Sequence, residues 1–283
     1  MKDQEVAGAP SRASLRRGNL TVKFLRAVAR LPKGHGLIWR ILVPFSPGRL
    51  RNIVCDTFGF YLHLDLTELL DFEYAVDIWD RMELEFLVNA VEDGTHFLDI
   101  GANQGFYSLF VAWRRPAARI LSFEPDDYSL DKIRRNVSSN KFGNITVCPY
   151  ALSDREEVKT LIIDQDRNRG ASSLLRARPD GSGCVSTVEV PCKPLLEALR
   201  EHGVERIGAL KIDVEGYEYL VLRKFLDDAP ASLYPKVIVV EALGDRIAAV
   251  GGSPVELLVS RGYRIVNHNR FNFLMELNRP HAA

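Results

Sequence analysis

The chain has 283 residues, 46% hydrophobic and 26% charged, with 20 Gly and 14 Pro, which excludes collagen-like, fibrous and disordered classes and allows one large domain or two small ones. Lys+Arg and Asp+Glu both number 37, so overall basicity gives no reason to expect nucleic acid as the main partner. The four cysteines, Cys55, Cys148, Cys184 and Cys192, form neither a C-x-x-C pair nor a zinc-ligand pattern, as expected of reduced thiols in a cytoplasmic protein.

The neutral total hides an asymmetry. Residues 1–54 carry eleven Lys/Arg against two acids, whereas Asp65 to Asp93 holds ten acids and a single base, Arg81. A basic arm of this kind either folds back onto the acidic stretch or reaches for an anionic partner, and the sequence does not choose. Residues 1–18 lack apolar periodicity and read as a flexible lead outside any core. From Asn19 to Leu31, Phe24, Leu25, Val28 and Leu31 recur at helical spacing while Lys23, Arg26 and Arg30 fall on other faces, which predicts a short basic amphipathic helix. Such a helix packs on its own domain or makes a peripheral contact with a membrane surface or a protein. Met1 to Ser14 has no apolar run suited to export. The longest apolar window, Leu37 to Phe45, is broken by Arg40 and Pro44 and is too short to span a bilayer. The expected organisation is a basic arm over 1–54, an acidic helical lead-in over 55–94 and a main domain over 95–283.

From His96 short apolar runs alternate with amphipathic segments, the pattern of β–α units around a parallel sheet. Strands are predicted at His96–Ile100, Ile120–Phe123, Ile145–Pro149, Ala209–Ile212 and Val237–Glu241. Helices are predicted near Gly105–Arg114, Asp127–Asn140, Pro194–His202, Gly216–Phe225 and Pro254–Arg261. Glu157–Asp164 and Val185–Val190 read as extra extended segments, with the polar stretch Gln165–Gly183 between them as a candidate lid. The end, GYRIVNHNRFNFLMEL, predicts an antiparallel hairpin turning at Asn267–Asn269.

The strongest local feature is FLDIGANQGFYS, an apolar strand ending in Asp99 that enters Gly101-x-Asn103-x-Gly105 before a helix. Glycines beyond the carboxyl end of a strand let backbone approach a ligand, so Gly101 and Gly105 are expected contact points. The dinucleotide pattern needs glycine at 101, 103 and 106, but the chain has Asn103 and Phe106, and no Gly-Lys-Ser/Thr follows. Both pyrophosphate cradles are therefore excluded. Glu124, in SFEPD, ends the second strand 23 residues after Gly101, where an acid accepts hydrogen bonds from ribose hydroxyls. A phosphate-free adenosyl ligand satisfies both features. KIDVEGYE then delivers Asp213 and Glu215 to the end of a strand expected beside the first. There they can orient a cofactor, deprotonate a hydroxyl or hold a metal, or Glu215 can simply open the following helix.

FLDIGANQGFYSLF, SFEPD, CPYALSD, GASSLL, KIDVEGYE and VIVVEAL, in this order over about residues 83–277, resemble the FkbM family of S-adenosylmethionine-dependent methyltransferases. The resemblance implies an α/β, Rossmann-like class I methyltransferase fold, with an open, mostly parallel seven-stranded sheet and an antiparallel C-terminal hairpin. It implies S-adenosyl-L-methionine as cofactor and O-methylation of a hydroxyl on a sugar, glycan or other natural product. Carried over, Asp99, Gly101, Asn103 and Gly105 would line the methionine and adenosine portion, and Glu124 would bind the ribose diol. Ser153 and Asp154 would border the adenine, and Asp213 and Glu215 would be catalytic. Gln104 departs from the aliphatic residue common in the family. Glu241 and His268 are further candidate bases, and the metal requirement is open. A non-catalytic cofactor-binding module and an RNA or protein methyltransferase are the competing readings.

Overall fold

The computed structural model describes residues 10–29, 50–56, 58–77, 79–164, 174, 185–242, 250–269 and 271–278. The candidate lid, Leu174 apart, lies outside these residues, as do the Leu37–Phe45 window and Cys184. Helix α1 (Arg12–Ala29) comes first, followed by an antiparallel pair, β1 (Ile53–Cys55) and β2 (Leu62–Leu64), and helices α2 (Leu69–Ala75) and α3 (Arg81–Ala90). β3 (His96–Ile100), α4 (Phe106–Arg114), β4 (Arg119–Phe123), α5 (Asp127–Asn140) and β5 (Ile145–Cys148) then alternate. β6 (Ala151–Ser153), β7 (Glu157–Asp164) and β8 (Val185–Pro194) form a separate sheet in the order β6-β8-β7. The chain continues through α6 (Leu195–Glu201), β9 (Ile207–Ile212), α7 (Glu218–Asp228), β10 (Val237–Glu241) and α8 (Pro254–Ser260). It closes with the hairpin β11 (Tyr263–His268) and β12 (Asn272–Leu277).

The main sheet runs β11-β12-β10-β9-β3-β4-β5. β10, β9, β3, β4 and β5 are parallel, and β12 is antiparallel to both its neighbours. This is the Rossmann-like class I sheet with its antiparallel C-terminal hairpin. Its inner strands are continuous apolar runs because helices cover both faces. Phe97, Ala209 and Val239 join one core, and the alternating Leu98, Leu210 and Ile238 join the other. The chain leaves β3 toward β4 and β5 and returns to the opposite side of β3 through β9. A crevice therefore opens beyond the carboxyl ends of β3 and β9, the place where open α/β sheets bind ligands.

Four sequence expectations change. Residues 12–18 are helical rather than a loose lead: a Cβ on Gly18 would lie 1.7 Å from the Val54 carbonyl oxygen, so the backbones of α1 and β1 nearly touch. The buried stripe of α1 is Gly18, Val22 and Leu25, while Phe24 is 63% exposed. β8 runs on to Pro194, and α7 starts at Glu218 rather than Gly216. Acids of the lead-in pair mostly with the main domain, Asp71 with Lys132, Glu85 with Arg114 and Glu92 with Lys236. Lead-in acids also meet the arm, Asp65 beside Arg51 at 3.9 Å and Asp56 accepting from Asn19 Nδ2 at 2.7 Å.

Candidate functional site

Two strand ends are locked together at the crevice. Asp213 N–H donates to the Ile100 carbonyl at 3.0 Å, and Gly101 N–H and Ala102 N–H both donate to the Phe123 carbonyl at 3.0 Å. Gly101 has φ +76°, and a Cβ there would sit 1.9 Å from the Asp213 carbonyl oxygen. Only glycine lets β3 and β9 close at this point. Asn103 follows in the left-handed region at φ +50°, and its N–H donates to Glu124 Oε2 at 2.8 Å. Gly105 serves a different purpose from the expected ligand contact. A Cβ there would strike the Ile133 side chain at 2.6 Å, so this glycine seats α4 against α5 and does not line the cavity.

Glu124 is 8% exposed. Its Oε2 takes the Asn103 N–H, and its Oε1 takes the Asp126 N–H at 2.9 Å. Burial pushes its pKa up to about 7 against the pull of these two donors. The bonds fix the plane of the carboxylate and leave lone pairs for a ligand, since two carboxylate oxygens accept about four hydrogen bonds. Asp99 is fully buried and turns inward: its Oδ2 accepts from Ser108 N–H at 3.1 Å and Ser108 Oγ at 2.6 Å. It anchors the start of α4 and is not among the lining residues. Ser153 is also buried, Asp154 accepts from its hydroxyl, and neither lines the cavity. Tyr150, Ala151 and Leu152 form that wall instead.

On the other side of the crevice, Glu215 adopts φ +57°. A left-handed glutamate is strained backbone, of the sort that clusters at functional sites. It does not open α7, which begins three residues later; Glu218 serves the helix start, accepting from Val214 N–H at 2.8 Å and Gly216 N–H at 3.2 Å. Burial raises the Glu218 pKa to about 7. Asp213, Glu215 and Glu241 then converge, each offering one carboxylate oxygen within 4.8 Å of the others. Such a trio can receive a proton or supply hard oxygen ligands to a divalent cation.

Sequence reasoning gave Lys211 no role, although a lysine inside the apolar run of β9 signals one. It lies opposite Asp99 in the β3–β9 register. Its Nζ reaches the Gly101 carbonyl at 3.3 Å and Asp213 Oδ2 at 3.4 Å. Burial pulls its pKa down, but Asp213 and Asp99 more than offset this and hold it above the usual lysine value. The lead-in was also missed, because Leu70, Tyr74, Trp79 and Asp80 close one wall. Tyr107 lines the cavity too and donates to Glu83 at 2.7 Å, a buried acid that also accepts from Asn269 and Asn272 at 2.8 Å. His268 is not part of the site: it is exposed and stacks on Phe273.

The cavity encloses about 320 Å³, within the small-molecule range. Among the described lining residues the one cation is Lys211, already engaged, so nothing there suits a pyrophosphate. A family model described as the methyltransferase FkbM domain matches residues 99–265, well over half of the chain, and the protein belongs to that family. It is 30% identical over 167 residues to methyltransferase sdnD of Sordaria araneosa, a match covering 50% of this chain and 64% of that protein. The chain thus spans less than two thirds of that relative. It is 25% identical over 220 residues to 31-O-demethyl-FK506 methyltransferase FkbM of Streptomyces tacrolimicus, covering 69% of this chain and 82% of that protein. The solved structure of precorrin-6y C5,15-methyltransferase from Geobacter metallireducens is similar at 16% identity and a TM-score of 0.40, over 70% of this chain and 86% of that one. The family's cofactor is S-adenosyl-L-methionine, and the lining fits it: a fixed carboxylate at Glu124 for a diol, an apolar wall of Phe123, Leu152 and Leu161 for a flat base, and no phosphate cradle.

Proposed function

We propose that this protein transfers the methyl group of S-adenosyl-L-methionine to a hydroxyl oxygen on a sugar, glycan or other natural product. The observation that carries the reading is the convergence of Asp213, Glu215 and Glu241 on the cavity that the Gly101–Asn103 loop and Glu124 also line. When bound, the cofactor supplies an electrophilic methyl group on a positively charged sulfur. Glu124 accepts the ribose hydroxyls, and the backbone of Gly101 to Asn103 borders the adenosine and methionine portions. The side chains chiefly hold two reactants in line, and such positioning is worth effective molarities of about 10⁵ M or more. As oxygen gains the methyl group it loses its proton, and a carboxylate of the acidic trio takes it. Lys211 keeps Asp213 in place through their ion pair. The O-methylating relative of Streptomyces tacrolimicus supports oxygen as the acceptor atom.

The test incubates the protein with the cofactor and metabolite or glycan extracts, and follows S-adenosylhomocysteine and products one CH₂ heavier by mass spectrometry. The reading predicts new methyl ethers. A cofactor that binds without forming S-adenosylhomocysteine, or methyl groups found on nitrogen or carbon, would contradict it.

A further inference from the structure

We propose that the outer face of α1 docks on an anionic lipid bilayer, an inference that goes beyond the reaction and does not depend on it. The inner face of the helix is spoken for. Gly18, Val22 and Leu25 are buried, Gly18 lies against β1, and Arg26 donates to the Ala75 carbonyl at 2.9 Å while its guanidinium covers the Phe58 ring. The opposite face carries Leu20 and Phe24, 59% and 63% exposed, one turn apart and therefore neighbours. Exposed Arg16, Arg17 and Lys23 surround them, with Arg12 a turn earlier, and α1 contains no acid. Among the described residues no ion pair occupies these four cations. Among the described acids of the lead-in, Asp71, Glu85 and Glu92 pair with Lys132, Arg114 and Lys236, and Asp56 accepts from Asn19, so none of these neutralises the basic face.

This combination favours a bilayer over other partners. Two apolar side chains on a convex helix fall far short of the roughly 800 Å² per side of a stable protein interface. They suffice as an insertion anchor when flanked by long cations that keep their charge at headgroup level. Phe24 is the sole aromatic residue of α1, which offers no series of rings for stacking bases. Because α1 is fixed to the domain along its inner face, docking needs no rearrangement of the fold.

The full-length protein is sedimented with vesicles of phosphatidylcholine alone and of equal parts phosphatidylcholine and phosphatidylglycerol. The proposal predicts sedimentation with the mixed vesicles only, weakened by added salt. Leu20→Ser with Phe24→Ser should release the protein. Arg16→Glu, Arg17→Glu and Lys23→Glu together should weaken binding by about a hundredfold or more. All five side chains are exposed, so the variants should melt with the wild type. Failure to sediment with the mixed vesicles, or binding unchanged by either set of substitutions, would overturn the proposal. So would equal binding to the neutral vesicles. A dimer that dissociates when Leu20 and Phe24 are replaced would assign the face to a second copy instead and likewise overturn it.

Discussion

The two walls of the cavity use the same residue type in opposite ways. On the β3–β4 side, Asp99 and Glu124 are buried and bonded to the chain itself, Asp99 to Ser108 and Glu124 to the backbone of Asn103 and Asp126. On the β9–β10 side, Asp213, Glu215 and Glu241 are only half-buried and face one another across space. Glu124, fixed by its own backbone yet with lone pairs to spare, shapes a binding surface, and Asp99 holds α4 in place behind it. Acids that keep oxygen atoms facing a cavity can do chemistry there. Glu218 marks the boundary: only three residues from Glu215, it is buried and serves the N-terminal turn of α7.

The most severe way to break this contrast is to separate the two walls. Gly101→Ala would drive a Cβ into the Asp213 carbonyl in a left-handed backbone; it should cost about 3 kcal/mol or more, read as a fall in denaturation midpoint. Asp213→Asn acts on the chemical wall alone. Turnover should drop about 10²-fold or more, the range for lost proton transfer, while cofactor affinity changes less than about tenfold. Parallel losses of both, from calorimetry and initial rates, would make Asp213 a binding residue. Glu124→Gln acts on the scaffolding wall. It should weaken S-adenosylhomocysteine binding by about 10- to 100-fold, the worth of hydrogen bonds to a charged acceptor.

The smallest effect is on stability against pH. In the folded protein Glu124 and Glu218 titrate at about 7, above the ordinary 4.5. The folded state thus binds their protons more tightly than the unfolded chain does. Their contribution to stability is full below pH 4.5 and is lost as pH rises through 7. His63, pushed down to about 4 by burial, opposes this only below its ordinary value of 6.5. Melting temperature should therefore decline from about pH 4.5 to about 7, most steeply above 6.5 where His63 no longer opposes it, and level off at higher pH, with a shallower decline in Glu124→Gln or Glu218→Gln.

Much of this arrangement was legible in the sequence because it rests on short-range rules. An apolar strand, a glycine that a turn requires and an acid at a strand end lie within a few residues of one another, so DIGANQG, FEPD and KIDVEG located both walls. What was not legible depends on distant partners. Leu70 and Tyr74 line the cavity from a helix held by distant partners, Asp71 bonding Lys132 of α5, 61 residues away, at 2.7 Å and Tyr74 stacking on Phe106. Gly105 looked like a ligand contact, but its neighbour is Ile133, which no local pattern pairs with it. In α1 the apolar spacing pointed to Phe24 as an inward residue, yet the inner face is set by Gly18, which carries no hydrophobic signal at all.

The most direct measurement is a crystal structure of the protein with S-adenosylhomocysteine. The account predicts ribose hydroxyls hydrogen-bonded to Glu124 and the sulfur directed toward Asp213, Glu215 and Glu241. Nucleoside density elsewhere, or a ribose bound without Glu124, would contradict it.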